Sequence, residues 1–202
     1  MRLRTAVPML MLLLLCACGA ANQGAQTPIE LRTALTEAGG CGFTLDLKAD
    51  YGDYIRTFRL SCRSTAEETT LVIEEPEIVQ GITATVRGAD AQVSYEDTVL
   101  AVEDFQSRRI SPMAAPELLA QAWREGYIRA TGMDGDREQV CYLLGYGGSE
   151  LEIVTWFDGP LPCRAEIDDG QQVLISCEIT DFTLQNQKDE EHEITETDLG
   201  GG

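Results

Sequence analysis

Apolar and polar residues alternate in short runs along most of this chain. Such a run buries its apolar half only as one strand of a sheet, because successive side chains of a strand point to opposite faces. Phe43, Leu45, Leu47 and Ala49 alternate with Thr44, Asp46 and Lys48. Tyr54, Phe58, Leu60 and Cys62 then alternate with Ile55, Thr57, Arg59 and Ser61, across a turn at Asp50-Tyr51-Gly52-Asp53. The pattern predicts further strands over 69–74, 82–87, 91–95, 98–102, 139–146, 150–157, 162–167 and 172–181. Turn residues punctuate them: Glu75-Pro76, Gly88-Ala89-Asp90, Gly147-Gly148, Asp158-Gly159-Pro160 and Asp168-Asp169-Gly170. Two stretches break the alternation. Thr27-Pro28 opens a helix whose Leu31, Leu35 and Ala38 share a face and which Gly39-Gly40 ends. Ser111-Pro112 opens a second, its regular part over 116–130, striped by Leu118, Leu119, Ala122, Trp123 and Tyr127. The expected fold is mostly β, of the α+β class: an antiparallel sheet that curls, with the central helix filling or covering its concave side.

The first residues follow another rule. Arg2 and Arg4 precede an apolar run from Ala6 to Leu15, too short for the roughly 20 residues a bilayer span needs. A basic head, a short apolar run and a small-residue cut site read as an export signal. The segment Leu15-Cys16-Ala17-Cys18-Gly19 resembles the bacterial lipobox. That resemblance implies cleavage after Ala17 and a diacylglycerol on the Cys18 thiol, the only prosthetic group expected. The predicted organisation is a signal over 1–17, a lipidated tether over 18–27, one domain over 28–184 and an acidic tail over 185–202.

Charge narrows the partners. Residues 1–17 carry Arg2 and Arg4 and no acid, so 13 basic and 34 acidic residues remain beyond them, a formal charge of −21. A surface of that sign excludes nucleic acid and does not dock on anionic headgroups. Membrane attachment therefore falls to the anchor. Of the seven cysteines, five follow Cys18: Cys41, Cys62, Cys141, Cys163 and Cys177. Export permits disulfides, and an odd count leaves one thiol over. If Ala49 pairs with Tyr54, the same register sets Cys41 opposite Cys62 at disulfide range. The alternative is two small buried apolar side chains.

The order of parts resembles the LolA/LolB-type lipoprotein-carrier superfamily. Three stretches carry the likeness: Leu71-Val72-Ile73-Glu74-Glu75-Pro76 through Gly81-Ile82-Thr83-Ala84-Thr85-Val86; Val93-Ser94-Tyr95-Glu96-Asp97-Thr98-Val99-Leu100; and Thr155-Trp156-Phe157-Asp158 through Leu161-Pro162, Ala165-Glu166-Ile167, Gly170, Val173 and Phe182. The likeness is taken to extend over residues 43 to 184. The resemblance implies a half-open antiparallel β-barrel whose apolar concave face is covered by helices and can hold a lipid. It is nearest to the anchored LolA-like proteins of Gram-positive bacteria, some of which act in sporulation and germination. Residues that could line such a cavity are Phe43, Leu45, Tyr54, Phe58, Leu71, Ile73, Trp123 and Trp156; the alternative is a solid core. The arginine that carriers of this type use to latch their lid is to be sought among Arg56, Arg59, Arg87 and Arg129.

Little in the sequence suggests catalysis. His192, the only histidine, lies within Asp189-Glu190-Glu191-His192-Glu193, an acidic run with little to bury. A nucleophile-histidine system needs a held imidazole. No CxxC pair or ligand cluster suggests a metal. Asp168-Asp169 reads as turn chemistry, and Asp134-Gly135-Asp136 as a hairpin turn lacking the later ligands of a calcium loop. Two non-enzymatic functions remain: an anchored protein that binds a lipid or other hydrophobic ligand, or a scaffold whose surface binds an envelope or spore-cortex (germination) enzyme.

Overall fold

The computed structural model of the chain describes residues 26–88, 90–102 and 110–185. The signal, Cys18 and the tether up to Ala25 lie outside these residues, as does the acidic tail beyond Gln185, including His192.

Helix α1 (Gln26–Ala38) leads into five consecutive antiparallel neighbours: β1 (Gly40–Asp50), β2 (Ile55–Thr65), β3 (Thr69–Glu75), β4 (Thr83–Arg87) and β5 (Asp90–Tyr95). Strand β6 (Thr98–Val102) closes the first half of the chain. After a 3₁₀ turn at Pro112–Ala114 comes helix α2 (Ala115–Glu125), then β7 (Tyr127–Asp134), β8 (Arg137–Tyr146), β9 (Ser149–Asp158), β10 (Leu161–Asp168) and β11 (Val173–Leu184). All eleven strands form one sheet in the order β6-β5-β4-β3-β2-β1-β11-β10-β9-β8-β7. Both halves are meanders, and the first and last strands join them at the centre through Leu45↔Ile179 and Leu47↔Cys177. The sheet does not close: β6 and β7 are its two free edges. This is the half-open antiparallel barrel expected, with helices on its concave face.

The concave face follows from the alternation. Cys41, Phe43, Leu45, Leu47 and Ala49 of β1 are all buried, as are Leu60 and Cys62 of β2 and Leu71 and Ile73 of β3. Val140 and Tyr142 of β8, Ile153 and Phe157 of β9, and Ala165 and Ile167 of β10 continue the layer on the other side. The helices lie on it. Leu31 and Leu35 of α1 are buried, and α2 buries Leu118, Leu119, Ala122 and Trp123. A positive φ of 80° at Gly39 ends α1, as the glycine pair predicted.

Two expectations are corrected here. The first is the Cys41–Cys62 disulfide. Strand β1 pairs with β2 as Ala49↔Arg56, Phe43↔Cys62 and Cys41↔Ser64, two residues away from the predicted register. Cys41 and Cys62 become diagonal neighbours, a relation that sets side chains roughly 7–8 Å apart and beyond disulfide reach. Both are free and buried, as is Cys177, and Cys141 and Cys163 are free as well. The second correction is the length of the central helix. It stops at Glu125, and Tyr127–Asp134 is a strand. The Gly126 N–H closes the helix on the Ala122 and Gln121 carbonyls while its own backbone turns extended at ψ 142°.

Candidate functional site

The interior beneath the helices is built around aromatic rings. Trp123 projects from α2 onto the sheet, 0 % exposed, and donates its Nε1–H to the buried Thr155 Oγ1 at 3.1 Å. Its ring meets Phe43 edge-on at 5.4 Å and Phe182 at 5.8 Å. Phe182 reaches this cluster through a bulge. The pairs Thr44↔Thr180 and Gly42↔Thr183 enclose one extra residue on β11, where Asp181 takes a φ of 53°. The bulge inverts the alternation beyond it and turns Phe182 inward, where it stacks on Phe43 at 6.2 Å.

Two arginines fix the helices. Arg32 of α1 donates through Nε to the Trp123 carbonyl at 3.2 Å and through Nη2 to the Gly126 carbonyl at 2.6 Å. It thus ties one helix to the C-terminal end of the other, where unpaired carbonyls favour a cation. Arg124 of α2 donates to Ser64 Oγ of β2 at 2.8 Å and lies 3.8 Å from Glu117 Oε2. Thr69 Oγ1 donates to Glu117 Oε2, and Ser64 and Thr69 hydroxyls lie 2.7 Å apart. With Thr69 committed to Glu117, Ser64 donates to Thr69. An ordered chain of donors then runs from the guanidinium through two fully buried hydroxyls to the carboxylate. Burial raises the Glu117 pKa above its ordinary range, and Thr69 and Arg124 oppose that shift. The four arginines named from the sequence make other contacts. Arg59 pairs with Asp46 and Glu74, Arg87 with Glu68 and Arg129 with Glu152, while Arg56 lies 5.4 Å over the Tyr54 ring. The helix-binding arginines are Arg32 and Arg124, each placed by the helix that carries it. Their legible signal was a cation on a helix with an apolar face.

Of the residues expected to line a cavity, Phe43, Leu45, Leu71, Ile73 and Trp123 belong to the one buried cluster and pack against each other and the helices. Phe58 lies at its margin and lines an open recess of about 260 Å³ with Leu47, Lys48 and Pro76. That is just below the volume of about 300 Å³ at which ligand pockets begin. Two residues fall elsewhere. Tyr54 sits exposed in the β1–β2 hairpin against Tyr51. Trp156 pairs with Gln139 and Arg164 on the convex face, between Thr155 and Phe157, which point inward. Its low exposure comes from the Arg164 guanidinium 4.6 Å over the ring and from Asp134, which accepts its Nε1–H at 2.8 Å.

The helices do not cover the whole trough. Register places Ala91, Val93 and Tyr95 of β5, and Leu100 and Val102 of β6, on the concave side. There Leu100 is 62 %, Tyr95 48 % and Val102 36 % exposed. The acidic pair Asp168-Asp169 does turn work: Asp168 Oδ1 accepts the Gly170 N–H at 2.6 Å and Asp169 Oδ1 that of Gln171 at 3.0 Å. Among the described residues no helix is long and apolar enough to cross a membrane.

A curled open sheet, two covering helices and an apolar trough left bare along one wing define a LolA-like fold. The chain superposes on a LolA superfamily protein from Nitrosomonas europaea with a TM-score of 0.52 at 12% identity, over 83% of this chain and 96% of that one. An outer membrane lipoprotein-sorting protein domain from Vibrio parahaemolyticus gives 0.49 at 12% identity, over 85% and 97%. The Mycobacterium tuberculosis lipoprotein LppX gives 0.37 at 13% identity, over 77% and 94%. No family model and no curated protein matches the sequence.

Proposed function

We propose that this protein is an extracytoplasmic, non-enzymatic lipoprotein, held to a membrane by acylation of Cys18, that takes a lipid or other hydrophobic ligand in its LolA-like trough. The observation that carries the reading is the exposed concave end of β5 and β6, where Tyr95, Leu100 and Val102 stand in water beside the buried Ala91 and the core-packed Val93. Apolar side chains left in water on an inward-curving surface mark an interaction site. The helices over the rest of the trough stand outside the sheet's strand ladder, so a chain that displaces the packing of Leu118, Leu119 and Trp123 would leave the strand pairing intact. Attachment to the membrane makes the protein stationary, and the trough then receives or presents its ligand in place.

The test is binding of the apolar fluorophore N-phenyl-1-naphthylamine to the full chain carrying Cys18→Ala. Saturable binding that Leu100→Asp weakens supports the reading; a wild-type trough that takes up no fluorophore overturns it. The same Cys18→Ala variant, expressed in cells, is expected in the soluble extracytoplasmic fraction, and a membrane-bound variant would sink the anchor assignment.

A second reading, a scaffold for an envelope enzyme, draws on the free edge β7, whose residues are exposed from end to end apart from the half-buried Ile128. An edge of that kind can accept a partner strand. Crosslinking from a photoreactive residue at Met133 that captures no envelope protein in stoichiometric amount counts against it.

A further inference from the structure

Polar groups sealed inside a protein almost always have partners. On the concave face of β8 two do not. The hydroxyl of Tyr142, a residue 0 % exposed, has no hydrogen-bond partner, and neither has the buried Oε1 of Glu138. The two residues are four apart on one strand and so share its inner face, between Ile128 and Met133 of β7 and Ile153 and Phe157 of β9. Helix α2 packs over this part of the sheet. Two charges act on the Tyr142 hydroxyl: the Arg32 guanidinium, committed to the α2 carbonyls, and the Glu138 carboxylate.

We propose that Tyr142 and Glu138 form the polar end of the ligand site and take the head of an uncharged, hydroxyl-bearing acyl ester, of the monoacylglycerol class. The assignment rests on the ligand-binding reading above and specifies the ligand's chemistry. A phenol held among apolar side chains offers a proton, and an ester carbonyl accepts it. A carboxylate oxygen with no donor needs one, and a free hydroxyl supplies it. A hydrocarbon satisfies neither group. A fatty acid carboxylate satisfies only the tyrosine and sets a second carboxyl group beside Glu138, whose Oε1 it cannot supply with a donor once ionised. The acyl chain of such an ester would run beneath α2 towards the exposed end of β5 and β6, displacing the packing of Leu118 and Leu119 on the sheet.

Tyr142→Phe and Glu138→Gln test the site in the full chain carrying Cys18→Ala, by displacement of N-phenyl-1-naphthylamine with 1-monomyristoylglycerol and with myristic acid. The parent chain is expected to prefer the glycerol ester. One lost hydrogen bond on a neutral group corresponds to about a five- to tenfold loss of affinity, so Tyr142→Phe should weaken the ester by that factor and leave the fluorophore's own affinity unchanged. Because the substitution only removes a hydroxyl without a partner, the variant should unfold no earlier than its parent; Glu138→Gln, which keeps the shape, reads out the second contact if it does. Ester affinity within twofold of the parent in both variants overturns the proposal while leaving the trough intact as a binding site. Absence of fluorophore binding in the parent removes the ligand reading itself and this inference with it.

Discussion

At the scale of single residues, the interior is set up to keep ionisable groups neutral or paired. Burial pushes the Cys41 and Cys177 thiols up to about 12 and Cys62 well above its usual range, so all three are protonated at neutral pH and pack as small apolar side chains. Glu117 is the exception that titrates within reach. Its folded pKa is raised, so the folded state holds the proton more tightly than the unfolded chain does. The stability it contributes is therefore full below the ordinary carboxylate value and is lost as pH rises through the raised one. Urea midpoints measured from pH 4 to pH 7 are expected to fall more steeply with pH in the parent than in Glu117→Gln. Equal slopes would mean that Glu117 is as well solvated in the folded state as in the unfolded one.

At the scale of elements, the strands were largely legible, because alternation of burial is the same signal in sequence and in structure. The run 69–74 is β3, 98–102 is β6, and the helix ending at Gly39 is α1. What escaped has identifiable causes. A register slip of two residues leaves every side chain on its own face, so the apolar pattern cannot report it; only the turn can, and Tyr51 and Tyr54 close it one residue later at each end than Asp50-Asp53 suggested. The strand β7 was hidden because Tyr127 falls on the helical stripe. Gly126 and the hairpin turn at Asp134-Gly135 were the countersignals, since a turn of that kind requires a strand before it. The convex placement of Trp156 could have been read from its parity with Thr155 and Phe157. The orphaned hydroxyl of Tyr142 could not, because partnership is a property of packing rather than of the strand. Gly126 also supports a prediction at this scale. A Cβ there would stand 2.6 Å from the Ala122 carbonyl oxygen and 2.9 Å from its Cα, both backbone atoms. Gly126→Ala should therefore cost about 1–3 kcal/mol, as overpacked sites do. Gly132→Ala, in the open strand that follows and with nothing within 4 Å, should change the unfolding midpoint little. Similar losses at both positions would show that the end of α2 is looser than its contacts indicate.

At the scale of the whole molecule, the two tryptophans report opposite faces of one sheet: Trp123 from the helix-covered interior and Trp156 from the convex surface. Because β1 and β11 join the halves, the domain is expected to unfold as one unit. Fluorescence of Trp123→Phe and of Trp156→Phe, each retaining one reporter, should follow the same denaturant profile as circular dichroism of that variant. Midpoints that separate within either variant would mean that the helices detach before the sheet opens. The formal charge of −19 of the whole chain, −21 beyond residue 17, suits the proposed uptake of a ligand through the trough rather than through the outside.

The seam between β1 and β11 also sets a clock. Thr183 donates its hydroxyl to the Gly42 carbonyl across 141 residues of chain, and the pairs around it are as remote. Contacts of such separation are the slowest to close. A ribosome emits β1 first and β11 last, so until the final strand emerges β1 has a partner on one side only and the middle of the sheet stands open. The chain stays threadable for as long as it is being made. On the export reading proposed above, the timing lies in the order of its strands.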